Sequence, residues 1–336
     1  MKITVLGAGA WGTALSIVLC ENDHAVNLWS WQAQHAELMA QQRTNQQFLP
    51  GVALPPSLSI SHDIEQALTE AELVVVVAPS HAVRSTMVAA APWIAEQANV
   101  VCATKGIEEQ SLLLMTEVIL DVLAQHRSAW RGQVGVISGP SFAQEVARAV
   151  PTNVVAASTD SEFCLSLQRT FATGWLRVYS SPDPVGVEIG GALKNVIAVA
   201  AGASDGLGLG HNTRAALITR GIAEMARLVT RKGGEVLTTA GLAGMGDLVL
   251  TCTGDMSRNR TLGQLLGRGH CVKDALGSLS GVAEGYLTSK SAHHLALSLD
   301  VDLPICEAVY SVLHTGKAPK QALSALMSRP LRAEWE

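Results

Sequence analysis

The chain opens on a short apolar run, Lys2-Ile3-Thr4-Val5-Leu6, which stops at Gly7 and continues as Gly7-Ala8-Gly9-Ala10-Trp11-Gly12. A run of that kind reads as a strand buried on both faces. Beyond the glycines, Trp11, Leu15, Val18 and Leu19 recur at helical spacing, and residues 25–29 (AVNLW) read as a second strand. Strand, glycine turn, helix and strand form the context that gives a GxGxxG pattern its meaning. Gly7 permits the tight turn, Gly9 lets the backbone approach a pyrophosphate, and Gly12 lets the helix lie close on the strand. The helix start also turns free N–H groups and a partial positive charge toward an anion. The same stretch could pass for a secretory signal, but the glycines interrupt it and Leu19 precedes Cys20 where cleavage needs a small residue.

Further strands are expected at 73–78, 99–103, 133–138 and 153–157, with a short one at 175–179 and helical stretches between most of them. That alternation argues for a Rossmann-like, doubly wound parallel sheet. After Ser180 the character changes. Pro182 and Pro184 punctuate the chain, and the patterns become helical at 187–203, 213–231, 235–243, 260–267, 272–277, 283–298 and 304–314, with no convincing strand. The reading is an α/β dinucleotide-binding domain over 1–182 followed by an all-helical substrate-binding domain over 183–336. A length of 336 residues suits two domains.

With 48% hydrophobic and 16% charged residues, the chain has the balance of a packed core rather than of disorder. A net charge of -5 gives no basic footprint for nucleic acid. No apolar run is read as approaching the ~18 residues of a membrane span. The six cysteines are scattered, without CxxC or zinc spacing to a histidine, and read as small buried hydrophobes in a reducing compartment. No HExxH occurs and no metal is expected. The expectation is a cytoplasmic protein. A homodimer is compatible with the sequence, although no interface can be read from it.

At the end of the second strand, where an Asp or Glu would bind the ribose 2′-OH of NAD, the chain has Leu28-Trp29-Ser30-Trp31-Gln32. No carboxylate repels a 2′-phosphate and no cation attracts one, with Arg43 the nearest downstream. Both NAD and NADP are expected, with a lean to NADP. Trp31 could stack on adenine or belong to the core. Four other segments combine glycine, a cation and small polar residues: 103–106 (ATKG), 138–142 (SGPSF), 190–195 (GGALKN), and Asp247 with 257–260 (SRNR). The first two follow expected strands, which places Lys105 and Ser141 toward the crevice beyond the strand ends. Lys194 sits inside an apolar helical run. There it either reaches for the surface or is buried with a partner and a function.

Taken together, GAGAWG, VVAPSH, ATKGIE, ISGPSFAQE, GGALKNVIAVAAG, LITRG, GMGDLVLTCTG, SRNR and VAEGY resemble, in order and over roughly residues 2–320, bacterial NAD(P)-dependent glycerol-3-phosphate dehydrogenase. The resemblance implies a dinucleotide-binding domain joined to a helical domain, with the active site between them. It implies Lys194 as the proton donor and acceptor. It places Lys105, Gly139, Ser141, Asp247, Ser257, Arg258 and Asn259 around dihydroxyacetone phosphate or sn-glycerol 3-phosphate. It places Gly7, Gly9, Ala10, Trp11, Gly12, Trp31, Lys105, Ala143, Arg258, Val282 and Glu284 against the cofactor. Beside Lys194, Asp247 suits orienting the ammonium rather than acting as an acid, and Asn195 suits holding a substrate hydroxyl or the phosphate. Trp31 departs from the His or Arg that relatives often carry there. The product would feed phospholipid synthesis. Two rival readings are a 3-hydroxyacid or phosphogluconate type of dehydrogenase, using the cations for a carboxylate, and a non-catalytic NAD(H) redox sensor.

Overall fold

The computed structural model describes residues 1–279, 281–331 and 333–334. The first half contains, in order, β1 (Lys2–Leu6), α1 (Ala10–Glu21), β2 (Ala25–Trp29), α2 (Ala33–Gln42), β3 (Thr44–Asn45), β4 (Leu49–Ala53), β5 (Ser59–Ser61), α3 (Ile64–Leu68), β6 (Leu73–Val76), α4 (Val83–Ala90), β7 (Asn99–Cys102), α5 (Met115–His126), β8 (Val134–Ser138), α6 (Ala143–Val146), β9 (Thr152–Ala157), α7 (Ser161–Phe171) and β10 (Leu176–Ser181). Eight of these strands form one sheet in the order β10-β9-β8-β7-β6-β1-β2-β5, while β3 and β4 make a separate hairpin. The central strands are apolar and buried on both faces, as in the LVVV of β6. Their ends are level: Leu6 pairs with Val76, and Val76 with Cys102. The loops that begin at Gly7, Val77, Ala103 and Gly139 therefore leave the sheet along one edge, where the strand order reverses beside β1.

The sheet is not parallel throughout. Across the sheet, β5, β2, β1, β6, β7 and β8 run parallel to their neighbours, but β9 runs antiparallel to β8, and β10 then runs parallel to β9. A parallel return needs a crossover, usually a helix. The α6 helix between β8 and β9 has four residues, which span only about 6 Å and cannot carry the chain back across the sheet.

The second half is helical: α8 (Pro184–Gly206), α9 (Gly210–Arg231), α10 (Asp247–Thr253), α11 (Arg258–Gly267), α12 (Val272–Gly277), α13 (Glu284–Leu299), α14 (Pro304–His314) and α15 (Pro319–Met327). The helix expected at 235–243 is instead a 3₁₀ turn, Val236–Ala240, followed by a π turn, Leu242–Gly246. The central element is α8. Pro184 fixes its first turn and the Asp183 carboxylate accepts from Gly186 N at 2.8 Å. Its glycines and alanines bring neighbours to backbone contact: a Cβ on Gly202 would lie 2.0 Å from the Arg260 carbonyl oxygen. By length and composition α8 could cross a membrane, since its 23 residues include a window of mean hydropathy 1.4. That corrects the expectation that no apolar run is long enough. The window is 89% buried inside the protein, as the core helix of a helical bundle requires. Ile107 and Leu114, from the loop after β7, pack into this same helical core. The cysteines also depart from expectation in part. Cys102, Cys164, Cys252 and Cys306 are buried, but Cys20 is half-buried and Cys271 is exposed at the start of α12.

Candidate functional site

The glycine turn has the geometry its spacing requires. Gly7 has φ +125°, and a Cβ there would lie 2.8 Å from the Val77 carbonyl oxygen. A Cβ on Gly12 would sit 1.9 Å from the Gly7 oxygen, so only glycine lets α1 approach β1 this closely. Gly9 differs: a Cβ there would meet nothing within 4 Å. Its bareness serves no contact within the chain and leaves a cradle in front of α1. That helix begins without a side-chain cap or an acidic residue in its first turn. The N–H groups around Ala10 and Trp11 are therefore available to an anion, which is the fit a dinucleotide pyrophosphate requires. Ala143 opens α6, which packs on α1. Trp31 is 75% exposed just beyond β2, which sets aside the core alternative for it. Arg43 is not turned toward that position, since its guanidinium donates to the carbonyls of Pro55 and Leu58.

Around the ends of β7 and β8 the structure gathers Lys105, Gly139, Lys194 and Asp247. Lys194 is 8% exposed and Asp247 2%. Lys194 Nζ lies 3.2 Å from Asp247 Oδ1, while the other carboxylate oxygen pairs with Lys105 Nζ. Lys105 also donates to the Gly139 carbonyl at 3.1 Å, and Ser141 Oγ donates to the same oxygen at 3.0 Å. Gly191, one turn before Lys194, keeps this space open: a Cβ there would come within 3.3 Å of Lys105 Cγ. Burial pushes the Lys194 ammonium down to about 8. The negative charge of Asp247 opposes that shift and the positive charge of Lys105 adds to it.

The sequence reading passed over Thr251. Its hydroxyl donates to the Asp247 carbonyl at 2.6 Å, one helical turn back. The single proton being spent there, Thr251 Oγ1 can only accept from Lys194 Nζ, at 2.9 Å. The spacing from Asp247 to Thr251 places both on one face of α10, a signal the sequence did carry.

A second group lies between α8, α11 and α13. Asn259 Nδ2 donates to Asn195 Oδ1 at 2.8 Å, and Asn259 Oδ1 accepts from Gly285 N at 2.9 Å. Ser257 is buried and caps α11 by accepting from Arg260 N at 3.2 Å. Arg258 is exposed and makes no ion pair or hydrogen bond among the described residues. A Cβ on Gly281, beside Val282, would come within 2.6 Å of its Nη1. Glu284 accepts from Ser80 N at 3.2 Å and from Ser80 Oγ at 2.5 Å, joining the start of α13 to the loop after β6. Ser80 was also passed over. It falls within the VVAPSH segment, but its partner is 204 positions away and nothing in the sequence marks the pairing. The two groups meet at Gly106, where a Cβ would lie 3.8 Å from Glu284 Oε2.

Residues 2–164 match the model of the NAD-dependent glycerol-3-phosphate dehydrogenase N-terminus, and residues 183–324 match that of its C-terminus. A glycerol-3-phosphate dehydrogenase [NAD(P)+] of Geobacter sulfurreducens is 51% identical over 99% of this chain and 98% of its own length. One from Anaeromyxobacter sp. is 47% identical over 99% of this chain and its whole length. Among solved structures, the glycerol-3-phosphate dehydrogenase of Coxiella burnetii superposes with a TM-score of 0.93 at 39% identity, covering 98% of this chain and 99% of that one.

Proposed function

The chain belongs to the NAD-dependent glycerol-3-phosphate dehydrogenase family, and on that premise we propose how its own residues carry the family's reaction. It is an NAD(P)-dependent oxidoreductase that interconverts dihydroxyacetone phosphate and sn-glycerol 3-phosphate. Membership sets aside both the hydroxyacid-type and the redox-sensor readings. When bound, the nicotinamide supplies or accepts the hydride.

The observation that carries the assignment of roles is the buried carboxylate shared by two lysines, Lys105–Asp247–Lys194. Two ammonium groups against one carboxylate leave local positive charge where an oxygen turns negative as a ketone is reduced. Lys194 is the group that moves the proton. With its pKa near 8 it holds both forms close to neutrality, as a proton carrier that works in both directions must. Thr251 and Asp247 aim Nζ, because both accept from it. Asp247, bound to both lysines, orients them and does not itself act as an acid. Lys105, Gly139 and Ser141 form the wall opposite Lys194. Asn195 and Asn259 fix each other and the start of α13. Arg258 is the cation free to grip the substrate phosphate, its planar fork matching the phosphate oxygens. The cofactor would lie against Gly7, Gly9, Ala10, Trp11 and Gly12, with Ala143, Trp31, Lys105, Arg258, Val282 and Glu284 beside it. We further infer a division of labour at residues 182 and 183, a cytoplasmic setting, supply of phospholipid synthesis and assembly as a homodimer, which light scattering checks.

With no carboxylate or cation in residues 28–32 and Arg43 donating to the carbonyls of Pro55 and Leu58, the 2′-position offers little discrimination. The lean to NADP has no cation behind it. The test is to mix protein and dihydroxyacetone phosphate with NADH or NADPH and follow the reduced nicotinamide. Both should be consumed, with kcat/KM values within about tenfold of each other. No turnover with either would overturn the reading.

A further inference from the structure

Beneath the glycine turn lies a buried chain of polar side chains with no part in the reaction described above. It links the end of β2 to α1 by way of α2 and the β3–β4 hairpin. Asn45, in β3, is 0% exposed. Its Nδ2 donates to the Ala8 carbonyl at 2.9 Å and to Thr13 Oγ1 at 2.8 Å, gripping the turn and the first turn of α1. Its Oδ1 faces His35 Nε2 at 3.1 Å and accepts from Phe48 N at 3.2 Å. His35 Nδ1 lies 3.1 Å from Ser30 Oγ. The Phe48 ring closes over His35 edge-on, with centroids 5.2 Å apart.

The chemistry fixes the direction of every bond. A carbonyl can only accept, so the Asn45 amide must turn its NH₂ to Ala8. Oδ1 then faces His35, so a neutral His35 carries its proton on Nε2, and Nδ1 accepts from Ser30. The relay runs Ser30 to His35 to Asn45 to the oxygen of Ala8. Asn45 has all four hydrogen-bonding positions filled, which in a dry site resists rearrangement.

The consequence falls on the next atom of the backbone. No peptide bond among the described residues is cis, so the C=O of Ala8 and the N–H of Gly9 point in opposite directions within their shared peptide plane. Asn45 pulls the oxygen inward, and the N–H of Gly9 is thereby turned outward, into the open space in front of α1. Gly9 N–H makes no hydrogen bond among the described residues. A glycine turn could rotate this peptide at little cost, and rotation would present a carbonyl oxygen to an anion.

We propose that Asn45, locked by His35, is the positioning residue that holds the Ala8–Gly9 peptide so that its N–H faces the cofactor's pyrophosphate. This rests on the cofactor assignment made above. The residues touch no substrate, so they act on cofactor affinity and not on the proton step.

The test compares wild type with Asn45→Asp, His35→Leu and His35→Gln. Calorimetric titration with NADH, without substrate, gives Kd; steady-state kinetics with dihydroxyacetone phosphate give kcat and KM. Asn45→Asp keeps the shape but sets an acceptor against the Ala8 oxygen, and Kd should rise roughly tenfold or more. His35→Leu leaves Oδ1 without one donor and should weaken NADH severalfold. His35→Gln restores an N–H donor and should return Kd to within about threefold of wild type. In all three, kcat at saturating cofactor should stay within about twofold of wild type. A folded Asn45→Asp protein that binds NADH like wild type overturns the proposal. So does activity lost only in proportion to folded protein, with Kd unchanged, or a His35→Gln variant no better than His35→Leu. If Asn45→Asp does not fold, the His35 pair decides by the same criteria. Failure of the wild type to bind NADH would instead overturn the cofactor assignment itself.

Discussion

Lys194 is held between opposed influences. Burial favours its neutral form and the shared carboxylate favours the charged one, and the outcome is a pKa near 8. Two consequences follow. With Lys194 in its proposed role, reduction draws on the protonated amine and should slow as pH rises through about 8, while oxidation draws on the neutral amine and should quicken over the same range; initial rates in both directions check this. Lys194→Met should lower turnover by ~10²-fold or more with NADH affinity largely retained. The sign for stability is separate. The folded pKa lies below the unfolded 10.5, so the folded state disfavours the charged lysine below about pH 8, and that penalty fades as pH rises toward the unfolded value. The methionine variant should therefore unfold later than wild type near neutrality, with the advantage shrinking in alkaline buffer. Arg258 makes a different prediction, because among the described residues it makes no hydrogen bond or ion pair and feels only the charge of Glu284. Arg258→Ala should raise the KM for dihydroxyacetone phosphate severalfold or more, since a charge-assisted contact is worth about 1.5–3 kcal/mol, and leave thermal stability near wild type. An unchanged KM would remove it from the phosphate site.

Among the elements, the contact of α8 with α11 sets the distance between Lys194, the proposed proton carrier, and Arg258, the proposed phosphate grip. Gly202 and Gly263 stand where a Cβ would run 2.0 Å from a backbone oxygen of the other helix. Gly202→Ala should push the helices apart, cost about 1–3 kcal/mol and raise the substrate KM. Gly277→Ala, at a position with nothing within 4 Å of the new Cβ, should leave both values nearly unchanged. A melting curve and a KM for each variant suffice. The elements also show what a sequence discloses. The long periodic helices and the continuous apolar strands β1, β6 and β7 were legible, because burial on a regular lattice leaves a regular pattern. The strands β3 and β5 were not, since two or three residues cannot display a period, and Pro50 and Gly51 break any alternation in β4. The reversal at β9 was hidden because strand direction depends on the length of a connection rather than on composition. Lys105, Lys194, Asp247, Asn195, Asn259 and Arg258 stand out in the sequence as cations and small polar residues set among glycines, and the roles proposed for them lean on the family resemblance. Ser80 and Asn45 act through partners distant in sequence, Glu284 and Ala8, and nothing local announces either pairing.

Across the whole molecule, several links between the two halves come from one strip, residues 105–117. Lys105 pairs with Asp247, Glu109 with Lys290 and Glu117 with Lys232, and Glu188 of α8 accepts from Thr116 N at 2.9 Å. Glu188 is buried, which raises its carboxyl to about 7, the two bonds from Thr116 opposing the shift. A folded pKa above the unfolded 4.5 means stability that is complete below about pH 4.5 and is lost as pH rises through about 7. Glu188→Gln keeps an acceptor for Thr116 N and removes the titration. It should be more stable than wild type by about 1–3 kcal/mol near pH 8, with the difference vanishing near pH 5; denaturant titrations at the two pH values decide. Thus the helix that carries Lys194 is also the axle of the helical half and its seat on the sheet. Most enzymes keep their reactive groups on loops that can loosen while the body stays intact. Here the working amine has no such local exit, so warming should extinguish catalysis and unravel the chain as one event, and the survival of activity becomes a direct gauge of how much protein is still whole.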